Sequence, residues 1–181
     1  MSQPDDTPNA ADCTAFSSDH NHHQCIDQAL NSARLLCQQH NVRFTPVRQR
    51  VLELIWQSHK PLGAYQILEQ LGAEGFNSAP PTVYRALEFL LEQRLAHRIA
   101  SLNAYIGCSH PQQPHQGYFL ICRECGSAQE LPSELLAQQL RQFAKQQGFA
   151  IETETVELSG LCPGCQASLS TPVTQTPEPT A

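Results

Sequence analysis

The sequence predicts an α+β chain, with a winged helix-turn-helix in the first half and a small α/β dimerisation unit built around four cysteines in the second. Three observations carry this reading. Helical spacing of apolar residues runs from Ile26 to Leu91 and then gives way to two short apolar runs of strand length. Cys122-Arg-Glu-Cys125 is answered by Cys162-Pro-Gly-Cys165, two knuckles with the same spacer. The cations gather in the helical half, although the whole chain carries a net charge of −6.

Residues 1–24 are rich in Ser, Asp, Asn, Pro and His and have no periodicity, which predicts a disordered arm. In and beside it, His20, His22, His23, Cys13 and Cys25 either bind metal loosely or belong to a solvated tail. A winged-helix unit is expected over 25–108. Ile26, Leu30, Ala33 and Cys37 recur at helical spacing, on a helix that ends near Asn41. Thr45-Pro46 then supplies an N-cap and a first helical position. Val47, Val51, Leu54 and Ile55 form the buried stripe of this second helix, and Lys60-Pro-Leu-Gly63 breaks it. Ala64, Ile67, Leu68 and Leu71 predict a short third helix, followed by a turn over Gly72–Ser78. Pro80-Pro81 opens a fourth, with Val83, Ala86, Leu87, Leu90 and Leu91 inward and Thr82, Tyr84, Arg85 and Glu88 outward.

Leu95–Ala100 and Asn103–Cys108, joined at Ser101-Leu-Asn, read as the wing. In that plan the last helix lies in the major groove and turns its N-terminal residues to base edges. Arg85 is the candidate: an Arg there bonds both acceptors of a guanine, or else it is a solvated surface cation.

After a link over 109–116, a second unit is expected over 117–168. Gly117–Cys122 and Ser127–Leu131 read as paired strands. Ser133–Gln147 reads as a helix with Leu136, Leu140, Phe143 and Ala144 on one face and Gly148 as its stop. Phe149–Leu158 reads as a long strand whose alternation changes phase between Ile151 and Val156, which predicts a bulge or a change of partner. So small a core leaves a face and an edge uncovered, so a homodimer is expected. Residues 169–181 read as a disordered tail.

Eight cysteines and eight histidines in a chain that begins without a signal peptide point to a cytoplasmic metal protein rather than to disulfides. Two thiolates from each knuckle complete a tetrahedral zinc site at Cys122, Cys125, Cys162 and Cys165. Four cysteines leave no open position, so this zinc is structural; such sites contribute roughly 10 to 16 kcal/mol in zinc-finger peptides. No apolar run reaches the roughly 18 residues of a membrane span.

Charge divides along the chain in a way that suits a nucleic acid. Residues 26–100 hold eight cations against six acids, whereas 101–181 hold three against seven. A locally positive face is therefore expected, with double-stranded DNA as partner. An enzyme is not expected. The knuckles read Ile-Cys-Arg-Glu-Cys and Leu-Cys-Pro-Gly-Cys, without the His-x-Glu and Pro-Cys-x-x-Cys pair of a nucleobase deaminase, and no phosphate loop or nucleophile elbow is present.

Asn41-Val-Arg-Phe-Thr-Pro-Val-Arg48, Pro80-Pro-Thr-Val-Tyr-Arg-Ala-Leu87 and the paired knuckles together resemble the ferric uptake regulator superfamily over roughly residues 26–166, and within it the zinc uptake regulator branch. The resemblance implies a zinc-loaded homodimer that represses zinc-uptake genes at an operator and takes no small molecule besides the metal. It implies base contacts for Arg85 and Tyr65, with Tyr84, Thr82 and Arg43 at the backbone or groove. It also assigns His97, Cys108, His115 and Glu130 to a regulatory zinc site, for two zinc ions per monomer.

Read one at a time, Cys108 is a small buried hydrophobe, the two histidines surface polar residues and Glu130 a solvated strand residue. A thiolate, two imidazoles and a carboxylate suit zinc, whereas iron needs harder ligands. His110 competes with His115 for a place in that set. Sensors of iron, manganese, nickel or peroxide on the same fold remain the alternative, and a zinc enzyme a more distant one.

Overall fold

Thr45 accepts from the Arg48 amide at 3.4 Å and Pro46 occupies the first turn of α2 (Pro46–Trp56), as the Thr-Pro pair dictates. The computed structural model describes residues 15–16, 22–76, 79–113, 115, 117–131 and 134–170. Cys13, His20, most of the expected N-terminal arm and the tail from Thr171 lie outside the described residues.

Helix α1 (His22–Gln39) precedes α2; β1 (Leu62–Gly63), α3 (Ala64–Ala73) and α4 (Pro80–Glu92) follow. Three of these helices end in the same way. Asn41, Gly75 and Arg94 take positive φ, and the next amide bonds back five residues: Val42 to Cys37, Phe76 to Leu71 and Leu95 to Leu90. These are Schellman caps, which stop each helix within a residue or two of the apolar stripe it carries. The stripes merge into one core of Leu30, Ala33, Val51, Ile55, Ile67, Leu71, Val83, Leu87 and Leu90.

Strands β2 (Ala96–Ile99) and β3 (Ala104–Gly107) form the antiparallel wing, with Ile99 opposite Ala104 across the turn. The segment Lys60–Gly63, expected only to break a helix, also adds β1 to the free edge of β3.

The second sheet has the order β5-β4-β6. Strands β4 (Tyr118–Cys122) and β5 (Ala128–Leu131) are antiparallel, and β6 (Val156–Gly160) runs parallel to β4 after the amphipathic helix α5 (Glu134–Gln146). Ile99 and Ile106 of the wing pack with Phe119, Ile121 and Ala128 of this sheet, so the halves share a small apolar contact.

Four expectations need correction. Helix α1 begins at His22, inside the expected arm, and places Cys25 in its buried face. The long strand over Phe149–Leu158 is only β6: residues 149–155 pair with no strand, and the phase change marks where pairing with β4 starts. Phe89, not expected inward, is also buried on α4, with the Arg48 guanidinium over its ring at 3.6 Å, while Leu91 is half-buried and packs against the core. The second knuckle itself runs into a helix, α6 (Pro163–Ser170), which reaches two residues into the expected tail.

Candidate metal centres and nucleic-acid face

Parallel pairing of β4 with β6 sets Cys122 opposite Gly160, so both knuckles leave the sheet at the same end. The first turns at Gly126 (φ +74°), whose amide bonds the Cys122 carbonyl, and the second runs from Leu161 into the first turn of α6. The sulfurs of Cys122, Cys125, Cys162 and Cys165 all lie within 4.8 Å of one another. Sulfurs bound to one tetrahedral zinc ion at about 2.3 Å stand about 3.8 Å apart. The Cys125 and Cys162 sulfurs are 3.8 Å apart.

Amides of Cys125 and Cys162 donate to the Cys122 sulfur, the latter at 3.3 Å, and pull its thiol down to about 6. Cys165, facing Cys162 and then the other sulfurs, is pushed up to about 12. Four thiols this close cannot all ionise without a cation among them, and the donor set fits zinc.

The second cluster draws on both halves of the chain. His97 comes from β2, Cys108 follows β3, Glu130 comes from β5, and His115 stands on the connection between the sheets. Their ligand atoms also lie within 4.8 Å of one another. The Cys108 sulfur and His115 Nε2 are 3.5 Å apart, the separation of about 3.5 Å for a sulfur and a nitrogen on one zinc ion. Glu130 Oε1 lies against both imidazoles, His115 Nε2 at 2.6 Å and His97 Nε2 at 2.8 Å. These two separations are shorter than the edge of about 3.3 Å in a zinc tetrahedron and lie within hydrogen-bonding range.

His115 Nδ1–H donates to the Gln113 carbonyl at 2.7 Å, which turns the Nε2 lone pair toward Glu130. A lone pair and a carboxylate oxygen repel unless a proton or a metal ion lies between them. His97 Nε2 is buried and makes no well-aligned hydrogen bond. Burial alone would raise the Glu130 carboxyl, but His97, the Ser109 amide and His115 outweigh it and hold it at about 2. Burial, and then Glu130, push the Cys108 thiol up. A divalent cation fits this set, since it satisfies both imidazole nitrogens and takes the Cys108 proton's place.

His110, the rival for His115, is exposed, with its ring centroid 6.5 Å from that of His115, and lies outside the cluster. His22 and His23 stand on the first turn of α1, where the His22 ring lies 5.0 Å from that of His59. Sequence reasoning missed the supports of the second cluster. An ideal Cβ on Gly117 would stand 2.8 Å from His97 Nδ1, and the Phe119 ring meets the His97 ring edge-on at 5.6 Å. A glycine just before an apolar strand was the available signal for the first.

Of the nucleic-acid candidates, Tyr65 on the first turn of α3 is 76% exposed and Tyr84 on α4 is 43% exposed. Arg85 on α4 and Arg43 before α2 are exposed, and Thr82 in the first turn of α4 is half-buried. No helix among the described residues is long and apolar enough to cross a membrane.

A model of the ferric uptake regulator family matches residues 39–159. The zinc uptake regulation protein of Escherichia coli (strain K12) is 38% identical over 139 residues, which cover 76% of this chain and 81% of that protein. The zinc uptake regulation protein of Mycobacterium tuberculosis (strain ATCC 25618 / H37Rv) is 27% identical over 129 residues, 70% of this chain and 96% of that protein. Among solved structures, a zinc uptake regulator complexed with zinc and DNA superposes with a TM-score of 0.74 at 34% identity, over 84% of this chain and 100% of that one. The crystal structure of holo XcZur superposes with a TM-score of 0.71 at 39% identity, over 78% of this chain and 99% of that one. The chain belongs to the ferric uptake regulator family, on its zinc uptake regulator branch.

Proposed function

We propose that this protein is a zinc-responsive transcriptional repressor, a cytoplasmic homodimer with two zinc ions per monomer that binds operators of zinc-uptake genes and leaves them on zinc depletion. One observation carries the reading: His97, Cys108, His115 and Glu130 converge from the wing, the connection and the second sheet. A site assembled from both halves exists only in one arrangement of those halves, so metal binding selects that arrangement. Zinc there would supply the positive charge that keeps Cys108 deprotonated beside Glu130.

The remaining steps belong to the chain. His97 and Glu130 hold the wing on β5, which sets the direction in which residues 25–108 present α4. Residues 117–168 join two copies, and the exposed apolar side chains of Leu135, Phe143, Phe149 and Leu158 support that role. With two copies fixed, Arg85 and Tyr65 reach base edges, and Tyr84, Thr82 and Arg43 meet the backbone or groove. Cys122, Cys125, Cys162 and Cys165 hold the structural ion that ties the end of β4 to the start of α6. The likeness to a zinc uptake regulator seen with zinc and DNA supports zinc and DNA as the ligands.

Metal content measured against DNA binding tests the reading. Two zinc ions per monomer should fall to one with a moderate chelator, and operator binding should fall with the second and return with zinc alone. One ion throughout, with binding switched by iron, manganese or peroxide, would establish a sibling sensor instead.

A further inference from the structure

Phe119 on β4 pairs with Glu130 on β5 and with Glu157 on β6, so the three residues form one rung across the second sheet. The wing lies on that rung. Glu130 meets His97, the Phe119 ring meets the His97 ring, and Glu157 reaches past them to the wing turn. There its two carboxylate oxygens accept from two consecutive amides, Ala100 at 2.6 Å and Ser101 at 3.1 Å.

Those amides follow the last ladder pair of the wing, Ile99 opposite Ala104, and bond Glu157 instead of the ladder. Burial would raise the Glu157 carboxyl, but bonds from Ser101 and Ala100 outweigh it and lower it, so the group is ionised at neutral pH. A carboxylate on two amides is a charge-assisted contact, stronger than a bond between neutral groups. It fastens the wing to the second sheet at the end of the rung opposite Glu130, with no metal involved.

We propose that Glu157 is a positioning residue that holds the wing in the zinc-binding arrangement and so sets the zinc concentration at which the protein responds. The inference rests on the zinc-responsive reading above. Any share of docked wing that Glu157 supplies in advance is a share that metal binding need not supply, and the observed zinc affinity rises with the docked fraction. The Glu130 end then acts as the switch and the Glu157 end as its bias.

The test uses the full-length dimer without DNA. The affinity of the second zinc is measured by competition with a chromogenic chelator, for wild type, Glu157→Ala, Glu157→Gln and Ser101→Pro. Proline at 101 removes from the wing side both the Ser101 amide and the Ser101 hydroxyl, which also bonds Glu157, leaves the Ala100 amide, and suits the second position of a turn closed by the Asn103 amide on the Ala100 carbonyl at 3.2 Å.

Glu157→Ala should weaken the second zinc on the order of tenfold, as loss of hydrogen bonds to a charged group implies. Glu157→Gln and Ser101→Pro should weaken it less, and adding Ser101→Pro to Glu157→Ala should cost little more. The structural zinc and the dimer should persist, and saturating zinc should restore DNA affinity to within about twofold of wild type, since only the docking equilibrium has moved.

Second-zinc affinity unchanged in both Glu157→Ala and Ser101→Pro would overturn the proposal. So would a loss of DNA affinity at saturating zinc with zinc affinity intact, which would make Glu157 a scaffold or DNA residue. If Glu157→Ala does not fold, Ser101→Pro decides the matter. A wild-type protein that takes no second zinc removes the functional reading and this inference together, whereas a normal wild-type titration with unshifted variants removes this inference alone.

Discussion

His97 Nε2 stands 2.8 Å from Glu130 Oε1, and that contact joins a strand of the wing to a strand of the second sheet. The two residues are 33 positions apart in sequence, and neither is a plausible ligand alone. They converge with His115 and Cys108 on one cluster that spans the two sheets, and the predictions below follow from the proposal that it binds zinc.

Cys108 should release a proton when the second zinc binds. Its thiol is pushed above its ordinary value by burial and by Glu130, so it is protonated at neutral pH, and zinc takes only the thiolate. The observed affinity should rise about tenfold per pH unit near neutrality. Calorimetry in two buffers of different ionisation enthalpy counts the protons. Cys108→Ser should leave a folded dimer with one zinc whose DNA binding ignores zinc, and a release that persists in that variant would place the proton elsewhere.

Gly117→Ala should weaken the second zinc without disturbing the first. The added Cβ would come within 2.8 Å of His97 Nδ1 and 2.7 Å of the Phe119 ring, so one ring must shift. Displacing the support of a ligand costs roughly 10- to 100-fold in metal affinity. Equal zinc titrations for the variant and wild type would show that the rings move freely.

Cys162→Ser should do the reverse and remove the structural zinc. The end of β4 and the first turn of α6 would lose their common anchor, and the four-cysteine end of the second sheet should unfold first. The expected signature is one zinc fewer, a lower melting temperature and a dimer that dissociates. A variant that melts with wild type would deny the site its structural role.

Arg85→Ala should lower affinity for the operator by about 1 to 3 kcal/mol while affinity for random DNA changes little. Binding of wild type should also weaken steeply with salt, as displaced counterions return to the phosphates. Equal losses on specific and random DNA would assign Arg85 to the backbone.

Much of the fold was legible because its signals are local. Thr45-Pro46 and Pro80-Pro81 announce helix starts through capping chemistry that needs no partner. The knuckles declare themselves through two-residue spacers, since two thiolates in one tight turn reach one ion wherever the turn lies. The caps at Asn41 and Arg94 were harder to see, because neither is a glycine and only the folded chain sets their positive φ.

The short β6 was misread for a related reason: alternation marks a strand only where a partner exists, and β4 reaches no further than Val156. Helix α6 likewise carries no apolar stripe to announce it; it follows from the second knuckle.

By itself the sequence determined the helical half, the wing, the four-cysteine pair and the residue types left over for a second metal site. The resemblance named His115, and the tertiary structure sets it and not His110 in the cluster; tertiary structure alone decided that Gly117 and Phe119 pack against that cluster and that Glu157 grips the wing turn. The reason is distance along the chain. Spacing of a few residues fixes local geometry, whereas Glu130, Phe119 and Glu157 become one rung only when antiparallel and parallel neighbours align on the same strand.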